Sequence, residues 1–341
     1  MGAYRSLPAA LSQAPLPDRV VPVTLLSATP ERLDLTGGEV LLIANLTSGR
    51  GRGGRALPQV EAALRAAGAQ VRVHRTQGPG EALAQGALAA RAGVALVVAI
   101  GGDGTLHEVL NGLCSTHAPP HAALPALGLI PTGTGNDYAR MLQIPAGDPA
   151  AAAAILAKGR VRRVDLGRIE GVGPAPEWFC NNVGLAFMAA ANAAHTESRL
   201  PAALSYSLGG LISYLTYTTE PFRVEADQRS WEGTLSVGQI GIGRFCGGGV
   251  DLTPDAGLDH GRFQVVLIPD RGKVRGFVEW PRIAKGEKVS GTQVLTGEVI
   301  KIKGRPGFLI HADGEVRRAT LGELRLTLVP AALRVVAGGL S

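Results

Sequence analysis

The clearest signal in the chain is a run of seven apolar residues, Val94 to Ile100, flanked by Gly93 and by Gly101-Gly102. A stretch of that length, apolar throughout, fits a strand buried on both faces, as in a parallel sheet covered by helices. Shorter aliphatic runs precede and follow it. Glu39 to Asn45, Val71 to Arg75 and Leu127 to Ile130 predict three further strands. Between them the apolar positions recur at helical spacing: Leu57, Val60 and Leu64 share one face of a helix over Ala56 to Ala67. Gly80 to Arg91, Thr105 to Leu113 and the alanine-rich Asp148 to Lys158 predict three more helices. Strands alternating with helices imply an α/β layer with a parallel sheet.

Beyond about residue 160 the pattern changes. Arg163 to Ile169, Trp178 to Val183, Arg223 to Ala226, Gly233 to Ile242, Arg262 to Leu267, Gln293 to Ile302 and Phe308 to His311 alternate or are β-branched and aromatic. These predict an antiparallel β-rich sandwich. Helical stretches at Ala202 to Thr218 and Lys273 to Lys285 interrupt it, and Leu324 to Val329 and Leu333 to Val336 read as late strands. The fold class is therefore α/β plus β. The expected layout is a proline-rich extension over 1–37, an α/β domain over 38–162 and a β-rich domain over 163–320. Residues 321–341 are open to completing the first domain.

Composition supports the division. Of fifteen aromatic residues only Tyr4 and Tyr138 precede Trp178, and all six lysines lie at or beyond Lys158. No apolar run approaches the roughly 20 residues of a membrane-spanning helix. Three widely spaced cysteines (Cys114, Cys180 and Cys246) argue against a disulfide framework and fit a reducing cytosol. The net charge of +6 is a mild bias toward anionic partners.

Gly101-Gly102-Asp103-Gly104-Thr105 stands between the apolar strand and a helix. Glycines there let backbone approach a ligand, and a helix N-terminus offers unpaired N–H groups to an anion. Asp103 would sit poorly beside phosphate without an intervening divalent cation. Asn45-Leu46-Thr47-Ser48-Gly49 follows the first strand, and Pro131-Thr132-Gly133-Thr134-Gly135-Asn136-Asp137 follows the fourth. Three such loops at one sheet edge predict a phosphate cradle. There is no G-x-x-x-x-G-K-[ST] sequence and no G-x-G-x-x-G after the first strand, which disfavours a P-loop protein and ordinary dinucleotide oxidoreduction.

The segment Gly101 to Gly112 resembles the nucleotide motif of the diacylglycerol kinase catalytic-domain family, which includes bacterial lipid kinases and the sphingosine and ceramide kinases. The resemblance continues through Asn45 to Gly49, Thr76, the loop holding Thr134, Gly247-Gly248-Gly249, Pro254-Asp255-Ala256 and Ala312-Asp313-Gly314-Glu315. It implies a two-domain enzyme using ATP and Mg²⁺ to phosphorylate a lipid hydroxyl, diacylglycerol first, with phosphatidylglycerol or a sphingoid base also open. By the same resemblance Asp103 is essential near the metal and phosphates, and Glu315 is the general base. Asn45, Thr47, Ser48, Gly49, Thr76, Gly101, Gly102, Asp103, Gly104, Thr105, Leu106, His107 and Thr134 are the implied nucleotide contacts.

Two positions depart from the family. His107 stands where an Asn is common. The structural Mg²⁺ loop, usually Leu-Asp-Asp-Gly, reads Leu258-Asp259-His260-Gly261. By the resemblance His260 then replaces the metal carboxylate, and main-chain oxygens of Gly257 and Arg262 are the other implied ligands, with Asp259 nearby; imidazole is a poor replacement for an oxygen ligand. The expectation is a weak or empty accessory site, or a metal-free loop stabilised by His260. A lipid kinase without an anchor needs reversible docking at a membrane. Arg271, Lys273, Arg275, Arg282, Lys285 and Lys288, interleaved with Phe277 and Trp280, are the candidate surface, against the equal reading of a solvated helix with inward aromatics. Ala202 to Thr218 reads as core or as an acyl-pocket wall. The expected setting is cytoplasmic with transient membrane association, no nucleic-acid partner, and a homodimer as an open assembly. A soluble-acceptor kinase of the NAD kinase type and a non-catalytic binding protein are the rival functions.

Overall fold

The computed structural model describes residues 31–116, 124–197, 214 and 216–339. The predicted stretch 202–218 lies mostly outside them.

The first half is built on β1 (Glu31–Arg32), β2 (Glu39–Asn45), β3 (Gln70–Thr76), β4 (Leu96–Gly101) and β5 (Ala126–Pro131). Strands β3, β2, β4 and β5 lie side by side in that order, all parallel. Every residue of β4 and β5 is buried, the fate expected of a wholly apolar run. Helices α1 (Ser48–Ala66), α2 (Glu81–Ala92), α3 (Asp103–Thr116), α4 (Asp137–Met141) and α5 (Pro149–Lys158) connect and cover them. In α1, Gly49, Arg50 and Gly51 carry positive φ, so the regular helix starts at Arg52. Helix α5 is bounded by local chemistry: the Asp148 carboxylate accepts from Ala151 N at 3.0 Å, Pro149 opens the first turn, and Gly159 ends the helix left-handed.

The second half contains β6 (Arg160–Glu170), β7 (Glu177–Phe179), β8 (Asn182–Ala186), α6 (Phe187–Glu197), β9 (Glu220–Ala226) and β10 (Arg229–Gly241). The short pair β11 (Phe245–Cys246) and β12 (Val250–Asp251) follows, then β13 (Phe263–Pro269), α7 (Lys273–Ile283), β14 (Gln293–Gly297) and β15 (Val299–Lys303). The chain then forms β16 (Phe308–Ala312), β17 (Glu315–Ala319) and β18 (Glu323–Val336). Pairings here are antiparallel. The sandwich carries a second apolar cluster around Phe187, Tyr214, Val266, Ile268 and Ile283, beneath α7.

Three expectations need correction. The run 178–183 is two strands, β7 and β8, broken at Cys180-Asn181. The run 293–302 is broken at Glu298. The two late strands are one, β18, with an irregularity between Val329 and Leu333, where Ala331 has positive φ. Part of the stretch set apart as an extension also belongs to the sheet: Glu31 and Arg32 pair with Val161 and Arg160 of β6, and Leu35 is buried.

Strand β18 spans the molecule. It pairs antiparallel with β15 and, from Arg325 to Val336 across the irregularity, with β6; near its end Val335 pairs in parallel with Leu127 of β5. The two halves therefore share one hydrogen-bonded sheet.

Candidate active site

The three glycine-rich loops meet at the carboxyl edge of the parallel strands. Asn45 organises the first: its Oδ1 accepts from Thr47 N, Thr47 Oγ1 and Ser48 N, at 3.2, 2.9 and 3.1 Å. Its amide nitrogen reaches Thr105 Oγ1 at 3.4 Å, joining the first loop to the second. Ser48 Oγ lies 2.5 Å from Thr132 Oγ1, joining the first to the third. Arg52 donates to the Gly133 carbonyl at 2.6 Å and closes the same seam. The second and third loops touch backbone to backbone: a Cβ on Gly102 would stand 3.0 Å from Gly133 Cα. No side chain fits between them. Thr76, at the end of β3, donates to the Ala44 carbonyl at 3.4 Å, and Thr134 is exposed on the third loop.

Facing these loops is a cleft lined from both halves of the chain, with Asp103, Gly104, Leu106, Thr134 and Asp137 on one side and Asn181, Asn182, Asp313 and Glu315 on the other. Asp103 opens α3, and its carboxylate approaches the N–H groups of Asp137 and Tyr138, both at 3.4 Å. Burial, followed by the charge of Asp137, pushes its pKa up to about 6. Burial also raises that of Asp137. One oxygen of Asp137 accepts from Gly248 N at 2.8 Å; the other is buried without a hydrogen bond, 3.6 Å from Arg140. Two desolvated carboxylates with an unsatisfied oxygen are a donor set suited to Mg²⁺, which typically takes one or two protein carboxylates and fills its remaining positions with phosphate and water.

Glu315 arrives on the β16–β17 hairpin, whose turn places Asp313 and Gly314 at positive φ. Its Oε1 lies 2.9 Å from where a Cβ on Gly104 would be, so the carboxylate sits directly over the second glycine loop. Arg317 stands 3.8 Å from it.

The hairpin is held by a buried charge network. Asp313 accepts from the N–H groups of Cys180, Asn181 and Asn182, at 2.9, 2.9 and 3.0 Å. His107, implied as a nucleotide contact, does not line the cleft. It is enclosed between Asp313 at 3.5 Å and Glu177 at 2.8 Å, and Glu177 in turn holds Arg317 at 2.7 Å. Burial alone would lower the His107 pKa, but the hydrogen bonds it donates to the two carboxylates outweigh it and lift it to about 9. Burial works to raise Asp313 and Glu177, and His107 holds both below the usual carboxylate range. Asn111, one turn along α3, both donates to and accepts from the Trp178 backbone.

The accessory loop is closed on itself. Asp259 pairs with Arg162 at 2.6 Å, the Gly257 carbonyl accepts from His260 N at 3.2 Å, and the His260 ring covers Gly257 where a Cβ would stand. Asp165 ties the loop to β18 by accepting from Gly261 N and Ala331 N. Among the described residues no three His, Cys, Asp or Glu side chains converge as a metal cluster. The side chains here are a poor donor set for Mg²⁺: Asp259 is paired with Arg162, His260 offers an imidazole, and Gly257 and Arg262 would offer only main-chain oxygens.

Sequence reasoning passed over Asp137 and Arg52. A carboxylate immediately following a glycine-rich loop at the same sheet edge was the available signal for Asp137. Arg52 had none, since its partners are main-chain carbonyls.

A glycine-loop α/β domain facing a β-rich domain that presents Asp313 and Glu315 across a cleft has the plan of a two-domain phosphotransferase. Comparison with known proteins agrees. Residues 39–169 match the diacylglycerol kinase catalytic domain, and residues 182–337 match the YegS C-terminal NAD kinase beta sandwich-like domain. The "Probable lipid kinase YegS-like" of Xanthomonas campestris is 34% identical over 307 residues, covering 85% of this chain and 94% of that protein. The diacylglycerol kinase of Bacillus subtilis is 29% identical over 295 residues, covering 83% and 91%. A crystal structure of a diacylglycerol kinase from Bacillus anthracis shares the fold, with a TM-score of 0.68 at 23% identity over 89% of this chain and 97% of that one. The chain belongs to the diacylglycerol kinase catalytic-domain family of lipid kinases. That membership implies use of ATP. No helix among the described residues is long and apolar enough to cross a membrane.

Proposed function

We propose that this chain transfers the γ-phosphate of ATP to the hydroxyl of a lipid, with diacylglycerol as acceptor and phosphatidic acid as product, working in the cytoplasm and visiting the bilayer reversibly. The observation that carries this is the placement of Glu315 over Gly104: a carboxylate from the far domain meets the loop best suited to phosphate, with only a glycine beneath it.

The N–H groups of the first turn of α3 and the abutting Gly102 and Gly133 backbones would bind the phosphates, with the hydroxyls of Ser48 and Thr134 at the rim. Asp103 and Asp137 would hold Mg²⁺, which when bound neutralises charge on the β- and γ-phosphates. Glu315 would accept the proton of the lipid hydroxyl as its oxygen bonds to the γ-phosphorus and the bond to the ADP oxygen breaks. Arg317, shared with Glu177, stands beside Glu315 and fixes the neighbourhood of its carboxylate.

Labelled ATP incubated with mixed micelles of diacylglycerol, phosphatidylglycerol and a sphingoid base, with NAD as soluble acceptor, tests the reading when products are identified by mass spectrometry. Phosphorylated NAD in place of lipid would overturn it. Glu315→Gln should lower turnover by roughly 10²–10⁴-fold, the usual worth of a general base, and leave ATP binding intact. Unchanged turnover would remove Glu315 from the mechanism.

A further inference from the structure

Helix α7 directs part of its polar complement at the protein: Lys273 Nζ donates to the Tyr214 and Tyr217 carbonyls, and Glu279 accepts from Arg271, just before the helix, and from the exposed Arg275. Trp280 also faces inward, its ring edge-on to Phe187 at 5.7 Å between centroids, and Ile283 is buried. What remains outside is Val274, Phe277 and Val278, at 81%, 57% and 69% exposure. Spaced i, i+3 and i+4, they form one stripe. Around them the stretch from Asp270 to Lys288 holds six basic side chains against three acidic ones. Lys285 and Lys288 are exposed, and Arg282 is paired with the exposed Glu287, a kind of pair that exchanges readily for another anion.

The stripe is too narrow for a stable protein interface, which needs about 800 Å² from each partner. A few inserted apolar side chains with a basic rim are sufficient for reversible attachment to an anionic bilayer. The position also suits delivery. Trp280 packs on Phe187, the first residue of α6, and Asn192, about 8 Å further along that helix, lines the cleft near Gly314.

We infer that α7 is a bilayer-docking helix that inserts Val274, Phe277 and Val278 among anionic lipids and brings the cleft to the membrane; this rests on the lipid acceptor proposed above. The test uses the full chain and phosphatidylcholine vesicles with and without phosphatidylglycerol. The wild type should sediment with the phosphatidylglycerol vesicles, less so at high salt. The triple variant V274S/F277S/V278S should lose about tenfold or more in vesicle affinity, and K285E/K288E should lose the preference for phosphatidylglycerol. Both variants should phosphorylate a short-chain diacylglycerol, dispersed as monomers, at the wild-type rate. Equal vesicle binding by wild type and triple variant would overturn the docking assignment. So would a wild-type dimer that the triple substitution splits without changing vesicle binding. If the vesicle results hold while no protein phosphorylates the short-chain lipid, the docking helix stands and the lipid-kinase reading falls.

Discussion

An imidazole with no water around it would ordinarily be neutral, yet His107 is held charged by Asp313 and Glu177, with Arg317 and Asn111 completing its surroundings. A charged histidine in the folded state has a direction of effect on stability. The unfolded imidazole titrates near 6.5 and the folded one near 9, so the contribution is complete below pH 6.5 and is lost as pH rises through 9. It is on the order of 3 kcal/mol, a fall of about 2–5 °C in Tm between those values. Thermal melts across that range should show the decline in wild type and a flatter curve in His107→Asn, which should also be about 2–4 kcal/mol less stable at pH 6.5 because two carboxylates lose their buried partner. A wild-type Tm constant from pH 6.5 to 9 would contradict the charge assignment. Nothing in the local sequence announces this role. The partners of His107 lie 70 and 206 positions away, so only the folded chain brings the four charges together.

At the scale of elements, the loops that carry the site behave differently under the same substitution. Gly104→Ala meets only the movable end of Glu315, so folding and ATP binding should persist while turnover falls by about tenfold as the carboxylate is displaced. Gly133→Ala meets the backbone of Gly102, so both loops must part and ATP affinity should fall together with stability. Calorimetric titration with ATP beside steady-state kinetics separates the two outcomes. The same elements show what was readable beforehand. The parallel strands were, because a strand buried on both faces is written as an unbroken apolar run. The breaks were less so. Asp313 captures three N–H groups at 180–182 and divides β7 from β8, and Asp227 captures the N–H groups of Glu298 and Val299 and divides β14 from β15. Helix α4, five residues long, is too short to display a period. Asp103 and Glu315 were legible through the family motifs; Asp137, Arg52 and the exposed stripe of α7 needed the fold.

For the molecule as a whole, the β6–β18 ribbon decides how the halves relate. It is paired from Glu170 with Arg325 to Val161 with Val336, and it carries the sheet of one half into the other. Ending the chain at Gly322 should therefore unfold the α/β half as well as the β-rich half. A cooperative melt of residues 31–322, or of 31–162 alone, would contradict this; loss of the near-ultraviolet signal and of ATP binding is the expected result. The order of synthesis gives that strand a further meaning. Leu127 waits some two hundred residues for Val335, a slow and distant closure. A half-made chain on the ribosome has its glycine loops but not the strand that flanks β5, and by the time that strand arrives the hairpin bearing Glu315 has been translated too.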